Sequence, residues 1–78
     1  MKLIDIGYGN LLMEDRVIMI IGPDSLPIRR LVQDAKNVGR VIDVSCGKKT
    51  KSVIITDSDH IILSAEEPQT LENRFGKR

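Results

Sequence analysis

Apolar residues along the chain fall in short runs separated by polar or glycine-containing breaks. Leu3-Ile4-Asp5-Ile6 predicts a short first strand, Gly7-Tyr8-Gly9-Asn10 a turn, and Leu11-Leu12-Met13 a second apolar piece. After the polar tip Glu14-Asp15-Arg16, the run Val17-Ile18-Met19-Ile20-Ile21 is apolar at five successive positions, so both faces of that strand need cover. Gly22-Pro23-Asp24-Ser25 breaks it and supplies helix-capping side chains. A helix is predicted from about Pro27 to Val38. Proline suits a first helical turn, and Ile28, Leu31, Val32, Ala35 and Val38 share one face. Gly39 follows where a left-handed cap would end it.

The second half reads as strands around turns. Val41-Ile42-Asp43-Val44-Ser45 and Ser52-Val53-Ile54-Ile55-Thr56 flank Gly47-Lys48-Lys49-Thr50-Lys51, which predicts a β-hairpin with a basic tip. Asp57-Ser58-Asp59-His60 is a second turn signal before a last strand at Ile61 to Ser64. Pro68 begins a short terminal helix through about Phe75, with Leu71 and Phe75 inward and Gln69 and Glu72 exposed. Residues 76–78 are expected to fray. The predicted fold class is α+β: one domain over 1–78, with a small, mostly antiparallel sheet, one main helix and a short C-terminal helix.

Length changes this picture. A single core in 78 residues leaves about 3–5 kcal/mol of net stability, and such chains often add disulfides, metal or oligomerisation. Cys46 is the only cysteine and His60 the only histidine, too few for an internal bridge or a structural zinc site. Oligomerisation remains. Few helices are available to cover both faces of a sheet, so another subunit is expected to cover one; the alternative is a sheet sandwiched by the chain's own helices. A lone thiol suits a reducing, cytoplasmic setting. No signal-peptide core or membrane-length apolar run is seen, so no membrane partner is expected.

Net charge is +1, but it is segregated: residues 29 to 51 carry a local balance of +5 and residues 52 to 72 one of −5. Lys48, Lys49 and Lys51 can neutralise phosphates, each as a point charge that favours backbone positioning over base reading. The same cluster is equally consistent with a solubilising turn that protects a strand edge. One or both of Arg29 and Arg30 can reach a polyanion or stay solvated. Gly7-Tyr8-Gly9-Asn10 lacks the spacing of a phosphate loop, and Tyr8 can stack on a base or pack at a subunit contact. Asp57, Asp59 and His60 read as turn chemistry rather than a metal site, and Cys46 has no base beside it in sequence. No catalytic constellation, cofactor or small-molecule substrate is indicated.

Several of these pieces together resemble one family. Ile6-Gly7-Tyr8-Gly9-Asn10, Arg16, Pro27-Ile28-Arg29-Arg30, Gln33-Asp34-Ala35, Gly39, Ile42-Asp43, Gly47-Lys48-Lys49-Thr50-Lys51 and Asp57-Ser58-Asp59-His60-Ile61-Ile62-Leu63-Ser64 resemble the RemA family of bacterial extracellular-matrix regulatory proteins. The resemblance runs from about residue 3 to about residue 75. It implies a small cytoplasmic regulator that binds double-stranded DNA at repeated sites and assembles into ring-like, octamer-like homo-oligomers. The family's DNA-contacting positions fall on Arg16, Lys48, Lys49 and Lys51. Lysines stand here where arginines are familiar, and Cys46 where an aromatic residue is, which favours phosphate gripping over guanine readout and removes a stacking surface. Arg16 becomes the better candidate for the groove, with Arg29 and Arg30 as further contacts. The competing reading is an oligomeric protein-interaction scaffold whose lysines keep it soluble; RNA binding is a third.

Overall fold

The computed structural model describes residues 2–75, so the expected frayed tail at 76–78 lies outside the described residues. Two short strands, β1 (Leu3–Asp5) and β2 (Leu11–Met13), form an antiparallel pair, and a single 3-10 turn (Glu14–Arg16) leads into β3 (Val17–Ile21). Helix α1 (Leu26–Asn37), strands β4 (Val41–Asp43), β5 (Ser52–Thr56) and β6 (Ile61–Ser64), and helix α2 (Pro68–Arg74) complete the chain. The class is α+β. The main sheet has the order β3-β5-β6-β4, antiparallel except where β4 runs parallel to β6.

That order corrects the central hairpin. β4 and β5 do not pair; β6 lies between them. All four residues of β6 are buried, so it takes a central place with a partner on either side. The tight reversal is instead Thr56 to His60, where the Thr56 N–H donates to the His60 carbonyl at 3.1 Å and Asp59 takes a left-handed backbone (φ +65°). β5 therefore folds back on β6, and β4 is left to enter on the far side. The lysine segment becomes a connection across the end of β6 rather than a hairpin tip.

The expectation that another subunit covers one face of the sheet does not hold for its central strands. On one face, Val53, Ile61 and Leu63 pack with Ala35 of α1, flanked by Ile28 and Val32. On the other, Ile54 and Ile62 pack with Ile4, Ile6 and the fully buried Leu71 of α2. Alternate residues of β5 and β6 thus feed two half-cores, which the period-two geometry of strands dictates. The chain's own helices and its small second sheet cover the central strands.

Apolar exposure is confined to other places. β3 is an edge strand with a register shift between Val17 and Met19, and Ile18 and Met19 stand 65% and 46% exposed. Ile42 on the opposite edge and Leu11 on β2 are also exposed. Helix α1 turns Ile28, Val32 and Ala35 inward as expected, but two residues assigned to that face are exposed: Leu31 (38%) and Val38 at the helix C-cap (67%).

The caps explain where α1 begins and ends. Ser25 Oγ accepts from the Ile28 N–H at 3.4 Å, and Pro27 occupies the first turn. At the other end the Gly39 N–H donates to Lys36 and the Arg40 N–H to Ala35, with Gly39 at φ +74°. These paired bonds form a Schellman cap, which needs the left-handed residue that glycine supplies most easily. Among the described residues no helix is long and apolar enough to cross a membrane.

Candidate nucleic-acid interface

Residues 44–51 run from the end of β4 to the start of β5 and are fixed at both ends. The Val44 N–H donates to the Leu63 carbonyl and the Lys51 N–H to the Ser64 carbonyl, each at 2.9 Å. Between them the chain turns: the Lys48 N–H donates to the Ser45 carbonyl at 3.0 Å, with Cys46 and Gly47 both in left-handed backbone (φ +55° and +78°). Asp43 closes the first bend. Its Oδ1 accepts from the Ser45 N–H at 2.9 Å and from the Ser45 hydroxyl at 2.6 Å. These two bonds from Ser45, with a smaller contribution from the Lys36 charge, hold the Asp43 carboxyl below its ordinary range against an opposing effect of burial.

Lys48 and Lys49 are exposed on this support, and among the described residues no ion pair engages either. Lys51 reaches Glu67 at 3.5 Å in a pair with both side chains about half exposed, so its charge is partly spoken for. Thr50 shares a cavity of about 220 Å³ with Arg29, Gln33 and Lys36 of α1. A neighbouring cavity of about 200 Å³ is bordered by Lys49, Lys51, Asp24 and Glu67. One end of the molecule thus gathers Arg29, Lys36, Lys48, Lys49 and Lys51, with Asp24, Asp43 and Glu67 interspersed.

The remaining candidates stand elsewhere. Arg30 follows Arg29 by about 100° around the helix and does not border that cavity. Arg16 is at the opposite end of the sheet, because Val17 pairs with Thr56 whereas the lysine loop enters at Ser52. The five residues of β5 between them span about 15 Å. Arg16 is also engaged: its Nε donates to both carboxylate oxygens of Asp57, at 2.7 and 3.0 Å. Beside it, the Ser58 hydroxyl bonds His60 Nδ1 at 2.8 Å and Thr56 Oγ1 at 3.0 Å. Asp57 is therefore engaged by Arg16 across the sheet end, and His60 by Ser58 within the turn. Tyr8 is 56% exposed on its own turn.

Lys36 was not singled out by sequence reasoning. Its signal was present in the spacing Arg29, Gln33, Lys36, one stripe of a helix, but which element that stripe faces depends on the sheet order.

Comparison with known proteins gives the chain its relatives. It is 53% identical over 75 residues to a protein of Geobacillus thermodenitrificans named "Putative regulatory protein", covering 96% of this chain and 86% of the relative. A protein of the same name from Fervidobacterium nodosum is 55% identical over 73 residues, 94% of this chain and 78% of the relative. One from Thermoanaerobacter is 54% identical over 74 residues, 95% and 77% of the respective lengths. A family model described as extracellular matrix regulatory protein A-like matches residues 3–75. With nearly all of its length matched, the chain belongs to the RemA-like family of regulatory proteins.

Proposed function

We propose that this protein regulates transcription by binding duplex DNA through its lysine loop, several copies acting together in a ring-like homo-oligomer. The observation that carries the reading is the loop itself. Lys48 and Lys49 project from a segment fixed at both ends, without an ion pair among the described residues, beside Arg29 and Lys36 and on a chain of a regulatory family. Ammonium groups on a stiff support neutralise phosphates without needing a particular base. Repetition around an assembly makes a weak grip multivalent, which is how so few lysines per copy suffice. Arg16, at the far end, supplies a second contact when it leaves Asp57.

Exposed Ile18 and Met19 favour association between copies. They border an open apolar groove of about 760 Å³ with Phe75 and Pro68. The same groove supports the competing reading, a protein-interaction scaffold without direct DNA contact. Titrating labelled duplex DNA at several salt concentrations, beside light scattering after gel filtration, separates the two. Salt-sensitive binding by an oligomer is expected. Oligomers that do not bind DNA would leave the scaffold reading, and a monomer at micromolar concentration would remove the ring.

A further inference from the structure

A carboxylate placed among phosphate-binding lysines is an electrostatic handicap, and Asp43 is such a carboxylate. It sits one residue before the lysine loop begins, where its two bonds from Ser45, and to a smaller extent the Lys36 charge, hold its carboxyl below the ordinary range. Its bonding explains what it does there. One oxygen, Oδ1, accepts both the N–H and the hydroxyl of Ser45, which is 3% exposed. The Ser45 carbonyl in turn accepts the Lys48 N–H. A continuous relay therefore runs from the Asp43 carboxylate through Ser45 to the backbone of the first lysine.

Downstream of that relay the backbone is left in an unusual state. Cys46 and Gly47 are both left-handed, and the N–H groups of Cys46, Gly47, Lys49 and Thr50 have no hydrogen-bond partner among the described residues. Main-chain amides in turns of this kind make concave anion sites, and their value to a phosphate lies in being held in place beforehand. Held loosely, the same loop would have to be ordered at each binding event.

We propose that Asp43 is the positioning residue of the lysine loop: its carboxylate, without touching DNA, holds the amides and lysines of residues 46–50 in the arrangement that receives a backbone phosphate. This rests on the DNA-binding reading above.

Geometry and charge predict opposite signs, so the test is direct. Asparagine keeps an oxygen that accepts both Ser45 bonds and removes the negative charge. Asp43→Asn is therefore expected to bind duplex DNA as tightly as the parent or tighter. Asp43→Ala removes charge and acceptor together and is expected to bind about tenfold more weakly, the scale of losing a pair of hydrogen bonds that preorganise a loop. Ser45→Ala, which deletes only the hydroxyl bond, should weaken binding by about threefold and serves if the alanine at 43 does not fold. Amide exchange at Lys48 gives a readout independent of DNA: protection should fall in Asp43→Ala and persist in Asp43→Asn.

Asp43→Ala binding as tightly as the parent, or Asp43→Asn weakening as much as alanine, would overturn the positioning role. A parent that binds no DNA, with Lys48 protection still following the acceptor at 43, would instead overturn the function on which it rests.

Discussion

Removing Lys48 and Lys49 together should change how binding depends on salt more than it changes anything about the fold. Both side chains are exposed, and no ion pair among the described residues engages either, so Lys48→Ala/Lys49→Ala should alter folding stability by no more than about 0.5 kcal/mol. Each phosphate neutralised contributes about 0.9 to the slope of log affinity against log salt. Two lost contacts per engaged loop flatten that slope by about 1.8. Between about 50 and 200 mM salt, a span of about 0.6 log units, the parent's advantage over the double variant should therefore shrink about twelvefold for each loop on the DNA. Lys51→Ala should flatten it by less than about 0.9, because Glu67 stands 3.5 Å from its ammonium and already offsets part of the charge. Fluorescence anisotropy with a labelled duplex at three or four salt concentrations reads all of this, and urea unfolding of the same samples controls for stability. Parallel lines for parent and double variant would refute the reasoning, since lysines that release no counterions are not on the phosphates.

Leu71 is fully buried between α2 and the sheet, and Leu71→Ala should cost about 2–5 kcal/mol, most of what a domain this small has to spare; a urea midpoint close to the parent's would show that α2 is not part of the core. Asp57→Asn should free the Arg16 guanidinium while lowering stability by less than about 1 kcal/mol, because the pair is exposed. Its DNA affinity should rise; unchanged affinity would remove Arg16 from the interface. Acid should weaken the fold through Asp43, whose folded carboxyl ionises below its ordinary value of 3.8. The folded chain takes up that proton less readily than the unfolded chain, so the contribution is complete above pH 3.8 and disappears as the pH falls through the folded value. Comparing urea midpoints of parent and Asp43→Asn from neutral pH down to about pH 3 should show the parent losing stability faster at the acid end, and identical pH profiles would assign the effect to other groups.

What could be read from the amino-acid order was whatever local chemistry decides. Helix α1 was legible to within one residue at each end, because Ser25, Pro27 and Gly39 act on the backbone beside them. The β5–β6 turn was signalled by Asp57-Ser58-Asp59, since such side chains bond their own neighbours. The partner of β4 was not legible. Val41-Ile42-Asp43 carries no mark that distinguishes an antiparallel neighbour after eight intervening residues from a parallel one after seventeen. Complete burial of β6 decides between them, and burial is a property of the assembled sheet.

The same limit applies to the site. Lys48, Lys49 and Lys51 were recognisable as an exposed basic segment in any reasonable fold, but their company was not. Arg16 precedes them by some thirty residues and Lys36 by about a dozen, and distance along the chain suggests nothing about which shares their end of the molecule. The strand order places Lys36 and Arg29 beside the loop and sends Arg16 the full length of β5 away, into the carboxylate of Asp57. A contact made by Arg16 is thus physically separate from the one made by the lysines. At about 15 Å the two ends of one copy would meet a duplex some four to five base pairs apart, so one phosphate cannot satisfy both. The proposed DNA contact therefore calls for two grips on one particle, one of them on the fixed lysine loop and the other released only when Arg16 leaves Asp57.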